Sequence, residues 1–240
     1  MSKIISIHSF RGGTGKSNVT ANLATILARS GCRVGIVDTD IQSPGIHVPF
    51  GLDAKKISHT LNDYLWGRCS IDSATYDVSY VFTGSKKGWF NRNQSKGKIF
   101  LIPSSIKTGE ISKILREGYD ARLLNDGFRN LIKHLKLDYQ GTAVTVDVAR
   151  KLDVPKMLLI VNKALSSLNQ QTLQQQIQTS YKVPVAGILP VCEEMFHLAS
   201  SDIFCLRYPE HPWTKTVEQI SRCLVDKKTL STARFGKMRV

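Results

Sequence analysis

The sequence predicts an α/β fold, a doubly wound and mainly parallel sheet flanked by helices. Three observations predict it. Short, continuously apolar runs recur along the 240 residues; segments with helical spacing separate them; and a glycine-rich turn joins the first run to the first helix. Brief apolar runs suit parallel strands covered on both faces. Their alternation with helices suits an open α/β sheet that receives ligands at the carboxyl ends of its strands.

The strands are expected at Ile4–Ile7, Val34–Val37, Ile99–Ile102, Met157–Val161 and Val185–Leu189. The first helix, Ser17–Ser30, carries Val19, Leu23, Ile26 and Leu27 on one face. Further helices are expected over Ile111–Glu117, Ala121–Lys136, Thr142–Leu152 and Leu168–Tyr181. Val217, Ile220, Leu224 and Val225 form a last short helical stripe. The segment Ser85–Lys98 is polar and basic and reads as a surface loop. It holds Trp89 and Phe90 between Lys86-Lys87 and Arg92, a pairing that faces nucleic acid or a partner in one reading and tucks down on a mobile loop in the other. Residues 1–225 are expected to form one domain, followed by a basic tail at 226–240.

The turn reads Phe10-Arg11-Gly12-Gly13-Thr14-Gly15-Lys16-Ser17. Glycines let the backbone fold tightly and aim successive N–H groups inward, and the helix start adds the positive end of its dipole. Lys16 has the reach for β- and γ-phosphates, and the Ser17 hydroxyl is a Mg²⁺ ligand of the right type. The turn therefore reads as a triphosphate cradle formed by Gly12, Gly13, Thr14, Gly15, Lys16, Ser17 and Asn18. The alternative is a glycine-rich turn with no ligand. Phe10 stands where the general phosphate-loop pattern has its first glycine.

Several stretches resemble the MinD/ParA family of ATPases, whose deviant Walker A loop carries a basic residue ahead of a double glycine. Besides the loop these are Asn22-Leu23-Ala24, the strand Arg33-Val34-Gly35-Ile36-Val37 with Asp38-Thr39-Asp40 after it, and Gln42-Ser43-Pro44-Gly45. Leu158-Leu159-Ile160-Val161-Asn162-Lys163 and Val185-Ala186-Gly187-Ile188-Leu189-Pro190 continue the likeness. The resemblance implies a P-loop NTPase fold of the SIMIBI kind and binding of ATP with Mg²⁺. It also implies slow, partner-stimulated hydrolysis in an ATP-dependent homodimer, with a protein cargo or activator.

The same resemblance implies roles. Asp40 orients the attacking water, Asp38 and Ser17 support the metal shell, and Lys16 neutralises phosphate charge. Arg11, in place of the family's lysine, reaches across the dimer to the partner's phosphates. Asn162 contacts the adenine edge and Pro190 lines the base pocket. Each has a plain alternative: turn-capping carboxylates for Asp38 and Asp40, a solvent-facing Arg11, and ordinary turn residues for Asn162 and Pro190.

One family segment is absent. Where the family has a strand rising to the Walker B aspartate, then a helix and another strand, Leu137-Asp138-Tyr139 passes directly to Gln140-Gly141-Thr142. The shortfall is about one βαβ unit, on the order of 30 residues or more. Three explanations stand: these residues belong to a longer chain, the gene carries a true deletion, or the likeness does not extend to this segment. A true deletion would take strands from beside the phosphate-loop strand and leave an unpaired edge.

The 33 Lys and Arg against 19 Asp and Glu give a net charge of +14, which favours polyanions such as DNA or an anionic membrane surface. Five dispersed cysteines show no ligand cluster and six histidines no ligand spacing. Free thiols, no signal peptide and no run of about 18 apolar residues lead to an expectation of a cytoplasmic protein. An amphipathic membrane helix in the tail is weighed against a solvated basic tail. The leading expectation is a positioning or partitioning ATPase. Its competitors are a non-hydrolysing nucleotide-binding scaffold and a DNA-binding protein with a vestigial nucleotide site.

Overall fold

The computed structural model describes residues 2–9, 12–82, 97–142 and 156–225. Arg11, the helix expected at Thr142–Leu152, the Trp89-Phe90 loop and the tail beyond 225 lie wholly or almost wholly outside the described residues.

The described elements run β1 (Lys3–Ser6), α1 (Lys16–Arg29), β2 (Arg33–Val37), α2 (Leu61–Leu65), β3 (Tyr76–Asp77), β4 (Lys98–Ile102), α3 (Thr108–Glu117), α4 (Ala121–Leu135) and β5 (Tyr139–Thr142). They continue with β6 (Leu159–Ala164), α5 (Gln170–Tyr181), β7 (Val185–Pro190), α6 (Glu193–Leu198), α7 (Phe204–Arg207) and α8 (Pro212–Leu224). The five expected strands all form, each shifted by at most three residues at either end. Element ends are the least fixed part of a periodicity reading.

One sheet has the order β1-β5-β2-β4-β3, parallel except for β3, which lies antiparallel on β4. A second sheet pairs β6 with β7 in parallel. Side chains of β4 alternate between two cores, as a two-faced sheet requires. Ile99 and Leu101 join the cluster under α1, α7 and α8; Phe100 and Ile102 join the one under α2, α3 and α4. That is the expected doubly wound layering.

Two features depart from expectation. Tyr139–Thr142 is a strand, inserted between β1 and β2, with Gly141 in register with both Ile5 and Ile36. And among the described residues β1 is an edge: Ile5 and Ile7 pack on the α1 core, but Ile4 is 56% exposed. α2 and β3 were not expected; α2 is a single turn, closed by a Thr60–Asp63 capping box, and β3 has two residues, both too short to show a period.

α1 and α8 are bound by an ion pair, Arg29 Nη2 to Glu218 Oε1 at 2.7 Å, with the carboxylate side chain 8% exposed. Removing one partner of a pair this buried leaves a desolvated charge. Glu218→Ala is expected to lower unfolding stability by about 2–4 kcal/mol, read from urea denaturation; a change under about 0.5 kcal/mol contradicts this account of the α1–α8 contact.

Candidate nucleotide site

The turn from β1 into α1 is left-handed at Gly13 (φ 72°) and Gly15 (φ 92°). Only glycine holds such angles without strain. Gly15 is also the N-cap of α1 and has a second reason to lack a side chain: a Cβ there would lie 2.6 Å from Asn162 Nδ2. The crowding has a purpose in the fold. Asn162 donates to the Thr14 carbonyl at 2.9 Å, and Lys163 Nζ donates to the Gly13 carbonyl at 2.7 Å. Lys163 itself is left-handed (φ 59°), with its amide bonded to Asn162 Oδ1 at 3.0 Å. Thr14 Oγ1 donates to Ser9 Oγ at 2.6 Å. Thus two cleft-lining side chains from the end of β6 fix the turn, and the first turn of α1 contains no acidic residue to compete for an anion.

Beside the turn, β2 is followed by Asp38 and Asp40. Lys16 Nζ lies 3.5 Å from Asp40 Oδ2. Asp38 is buried, and its Oδ1 accepts the Asp40 amide at 3.1 Å, so it does cap its own turn. Its Oδ2 is also buried and has no hydrogen-bond partner. Burial pushes the Asp38 carboxyl up to about 6; the Asp40 amide opposes this, the Asp40 carboxylate adds to it, and the Ile46 and Gly45 amides oppose it. A buried carboxylate oxygen without a partner is the donor type a hard divalent cation takes, and Ser17 lines the same cavity wall as Asp38. The residues present therefore fit Mg²⁺. His8, also near this group, is held below its usual pKa by desolvation first and by the Lys16 ammonium second, against Asp40.

A cleft of about 370 Å³ runs from the turn to the end of β7. It brings together Gly12, Gly13, Gly15, Lys16, Ser17 and Asn18 from the turn, Asp40 from β2, and Asn162 and Pro190 from the two late strands. Thr14 and Asp38 do not line it. Thr14 turns its carbonyl to Asn162, and Asp38 lies deeper, on a separate cavity. The far end of the cleft is closed by residues that sequence reasoning missed: Met195 and Phe196 on α6, and Trp213 at the start of α8. Phe196 is 63% exposed. The nearest local signal was Pro190 itself, after which the chain turns into α6.

Three donor-bearing residues from two distant stretches of sequence come together just after the end of β7. Cys192, Glu194 and His211 bring their donor atoms within 4.8 Å of one another, because the β7–α6 turn packs on the start of α8. Cys192 Sγ donates to Glu194 Oε2 at 3.1 Å, and His211 Nε2 is 3.7 Å from the same oxygen. His211 Nδ1 accepts the Trp213 amide at 3.1 Å, which places the proton on Nε2 and turns an N–H, not a lone pair, toward the group. Burial first, then the Glu194 carboxylate, pushes the Cys192 thiol up to about 11. The group is a hydrogen-bonded support for the far end of the cleft.

A glycine turn capped onto a helix, a cationic side chain in it, two aspartates just after the next strand and a long cleft define a phosphate-binding α/β domain. The model for the CobQ/CobB/MinD/ParA nucleotide binding domain matches residues 5–203, and the chain belongs to that family. It is similar to an uncharacterized ATP-binding protein of Methanocaldococcus jannaschii, 26% identical over 250 aligned positions that span 95% of this chain and 89% of the relative. It is also similar to the septum site-determining protein MinD of Bacillus subtilis, 43% identical over 165 positions that span 64% of this chain and 58% of the relative. Among solved structures it shares its fold with the septum site-determining protein MinD of Pyrococcus horikoshii complexed with Mg-ADP. That match has a TM-score of 0.66 and 21% identity, and covers 98% of this chain and 100% of the other.

The Asp38 shift has a sign that can be tested. Its folded pKa of about 6 lies above the ordinary carboxylate value of 3.8. The stability it contributes is full below the unfolded value and is lost as pH rises through 6, where the buried group must ionise. Asp38→Asn is therefore expected to stabilise the nucleotide-free protein at pH 7.5 by about 1–3 kcal/mol, the gain shrinking toward zero near pH 4. Thermal midpoints measured across this range check it, and a gain independent of pH contradicts it.

Proposed function

We propose that the chain is a Mg²⁺-dependent ATP hydrolase of the MinD/ParA type that works as a nucleotide-dependent homodimer. The observation that carries this reading is the cleft in which the glycine turn, Lys16 and Asp40 meet Asn162 and Pro190. One end offers amides and an ammonium group to a triphosphate; the other is an apolar slot for a base. The family match and the Mg-ADP in the Pyrococcus horikoshii relative support the choice of ligand.

The proposed roles follow from position. Amides of Gly12, Gly13, Thr14, Gly15, Ser17 and Asn18 bind the phosphate oxygens, with Lys16 on the β- and γ-groups. Ser17 and Asp38 would hold Mg²⁺. When bound, the ion neutralises charge on the β- and γ-phosphates. Asp40 has a role that its present contact suggests. Lys16 and Asp40 are paired at 3.5 Å. A γ-phosphate takes Lys16 away and leaves the carboxylate to orient water against the phosphorus. Asn162 reads the base edge, Pro190 lines its pocket, and Arg11 supplies a bidentate cation across the dimer. The net charge of +14 favours DNA or an anionic membrane surface as the track. A protein cargo or activator completes the proposed switch, in the cytoplasm. Among the described residues no helix is long and apolar enough to cross a membrane.

A specific observation favours a second reading, a nucleotide-binding scaffold without turnover. β5 lies beside β1 and carries no acidic residue from Tyr139 to Thr142. The two readings separate in one assay series. Lys16→Ala is expected to abolish ATP binding by calorimetry; retained micromolar binding contradicts the site. Asp40→Ala is expected to keep binding and lose about 10²–10³ in turnover; unchanged phosphate release removes Asp40 from the mechanism. No release by the unaltered chain under any activator selects the scaffold.

A further inference from the structure

His211 stands behind the base end of the cleft. It is the N-cap of α8, and its Nδ1 accepts the Trp213 amide at 3.1 Å. Pro212 opens the helix without an N–H, so Trp213 carries the first amide that needs an acceptor. Such caps are ordinarily Ser, Thr, Asn or Asp; here an imidazole takes the position. On its other side the ring presents Nε2 to Glu194 Oε2 at 3.7 Å and to Cys192 Sγ at 3.9 Å. The Phe204 ring meets the imidazole edge-on, with centroids 5.2 Å apart at 87°, and meets Trp213 at 5.2 Å and 65°.

Two neighbours of the imidazole reach the cleft. Trp213 is 2% exposed and walls the slot with Met195 and Phe196, and Cys192 lines it as well. The imidazole thus ties the β7–α6 turn to the start of α8, and these two pieces of chain close the slot. The tie depends on where the ring carries its proton. The Trp213 amide needs a lone pair on Nδ1, so the proton of the neutral ring sits on Nε2, where Glu194 faces it. Glu194 is held ionised: the Cys192 thiol first, then its own backbone amide, keep its carboxyl below the usual range. A second proton on the ring goes to Nδ1, and two N–H groups then confront each other.

We propose that His211 is a positioning residue for the base. In its neutral form it caps α8, holds Trp213 against the slot and locks the β7–α6 turn, and its protonation loosens all three. The groups around the ring fit this role. Glu194 and Cys192 come from the β7–α6 turn, His197 lies near Glu194 on α6, and α7 contributes the apolar Phe204 ring. Lys215, one turn into α8, is paired with Glu210 at 3.0 Å. The Glu194 carboxylate favours the imidazolium once it forms and draws it away from Trp213. An Asn would cap α8 too, but it has no charge to change, whereas a histidine changes charge between about pH 5 and 8. The inference rests on the nucleotide reading of the cleft.

The test is calorimetric binding of Mg-ADP and of Mg-pyrophosphate, which has no base, at pH 7.5 and pH 5.5. The unaltered chain, His211→Asn, His211→Ala and Lys16→Ala are compared. At pH 7.5 His211→Ala is expected to weaken ADP about five- to tenfold, the effect of a lost cap, and to leave pyrophosphate unchanged. His211→Asn restores an acceptor and is expected to stay within about twofold of the unaltered chain. At pH 5.5 the unaltered chain is expected to lose about five- to tenfold more ADP affinity than His211→Asn loses. His211→Asn as weak as His211→Ala overturns the inference, as does the same acid loss in the unaltered chain and His211→Asn, or equal weakening of pyrophosphate. If His211→Ala does not fold, His211→Asn and the pH comparison decide alone. Lys16→Ala separates the two readings. Loss of both ligands in that variant, with ADP binding untouched by the His211 changes, sinks the inference and leaves the nucleotide site standing; ADP bound normally by Lys16→Ala sinks both.

Discussion

The close approach of β6 to the phosphate turn is the constraint on which the site depends. Gly15 is left-handed and lies against the Asn162 amide, with no room for a Cβ between them. Because of that contact, two side chains of one strand end can bond two successive carbonyls, those of Gly13 and Thr14. Fixing two successive peptides in this manner holds the turn in one shape before any ligand arrives. Asn162, expected to contact the base edge, thus also sets the phosphate turn.

The electrostatics of the site are arranged in depth. Lys16 and Asp40 face each other across the mouth of the cleft, partly open to solvent, where an ion pair is worth little and is easily exchanged. Asp38 sits behind them with an unpaired oxygen and a raised pKa. The outer pair can trade partners at small cost, whereas the inner group is destabilised until a cation meets it. Functional sites often hold such penalties, because a ligand that relieves them gains affinity from the relief.

Much of this was legible in the sequence, for a physical reason. The phosphate turn, the strand before it and the aspartates after β2 are each contiguous, so their chemistry sits within a few residues and needs no tertiary information. Asn162 and Pro190 stand at the ends of apolar strands, where the plain reading is a turn residue, and only the resemblance singled them out. Met195, Phe196 and Trp213 were not, since they reach the cleft from two helices that meet in space, and nothing local distinguishes them from core residues. The Cys192–Glu194–His211 group escaped notice for the same reason: positions 192 and 211 are joined by packing, not by spacing. Tyr139–Thr142 misled in the opposite direction. Its short run containing Gln and Gly does not read as a strand, and it forms one because β1 and β2 leave a slot whose backbone groups need partners.

That slot bears on how the site holds its shape. A phosphate turn is only as rigid as the strand that feeds it, and among the described residues β1 has one bonded neighbour and alternates partly buried with exposed positions. The turn is therefore held mainly from its far side, by α1 beneath it and by Asn162 and Lys163 beside it. α1 in turn is secured to α8 by the Arg29–Glu218 pair and a shared apolar core, and α8 packs on β7. The support for the nucleotide end of the molecule runs through the second sheet, not through the first. Ligand that bridges the turn and the β6–β7 ends would join the two sheets directly, and its binding energy would add to the weak link between them. Nucleotide binding and the integrity of the sheet are coupled in this chain more tightly than a continuous sheet would require.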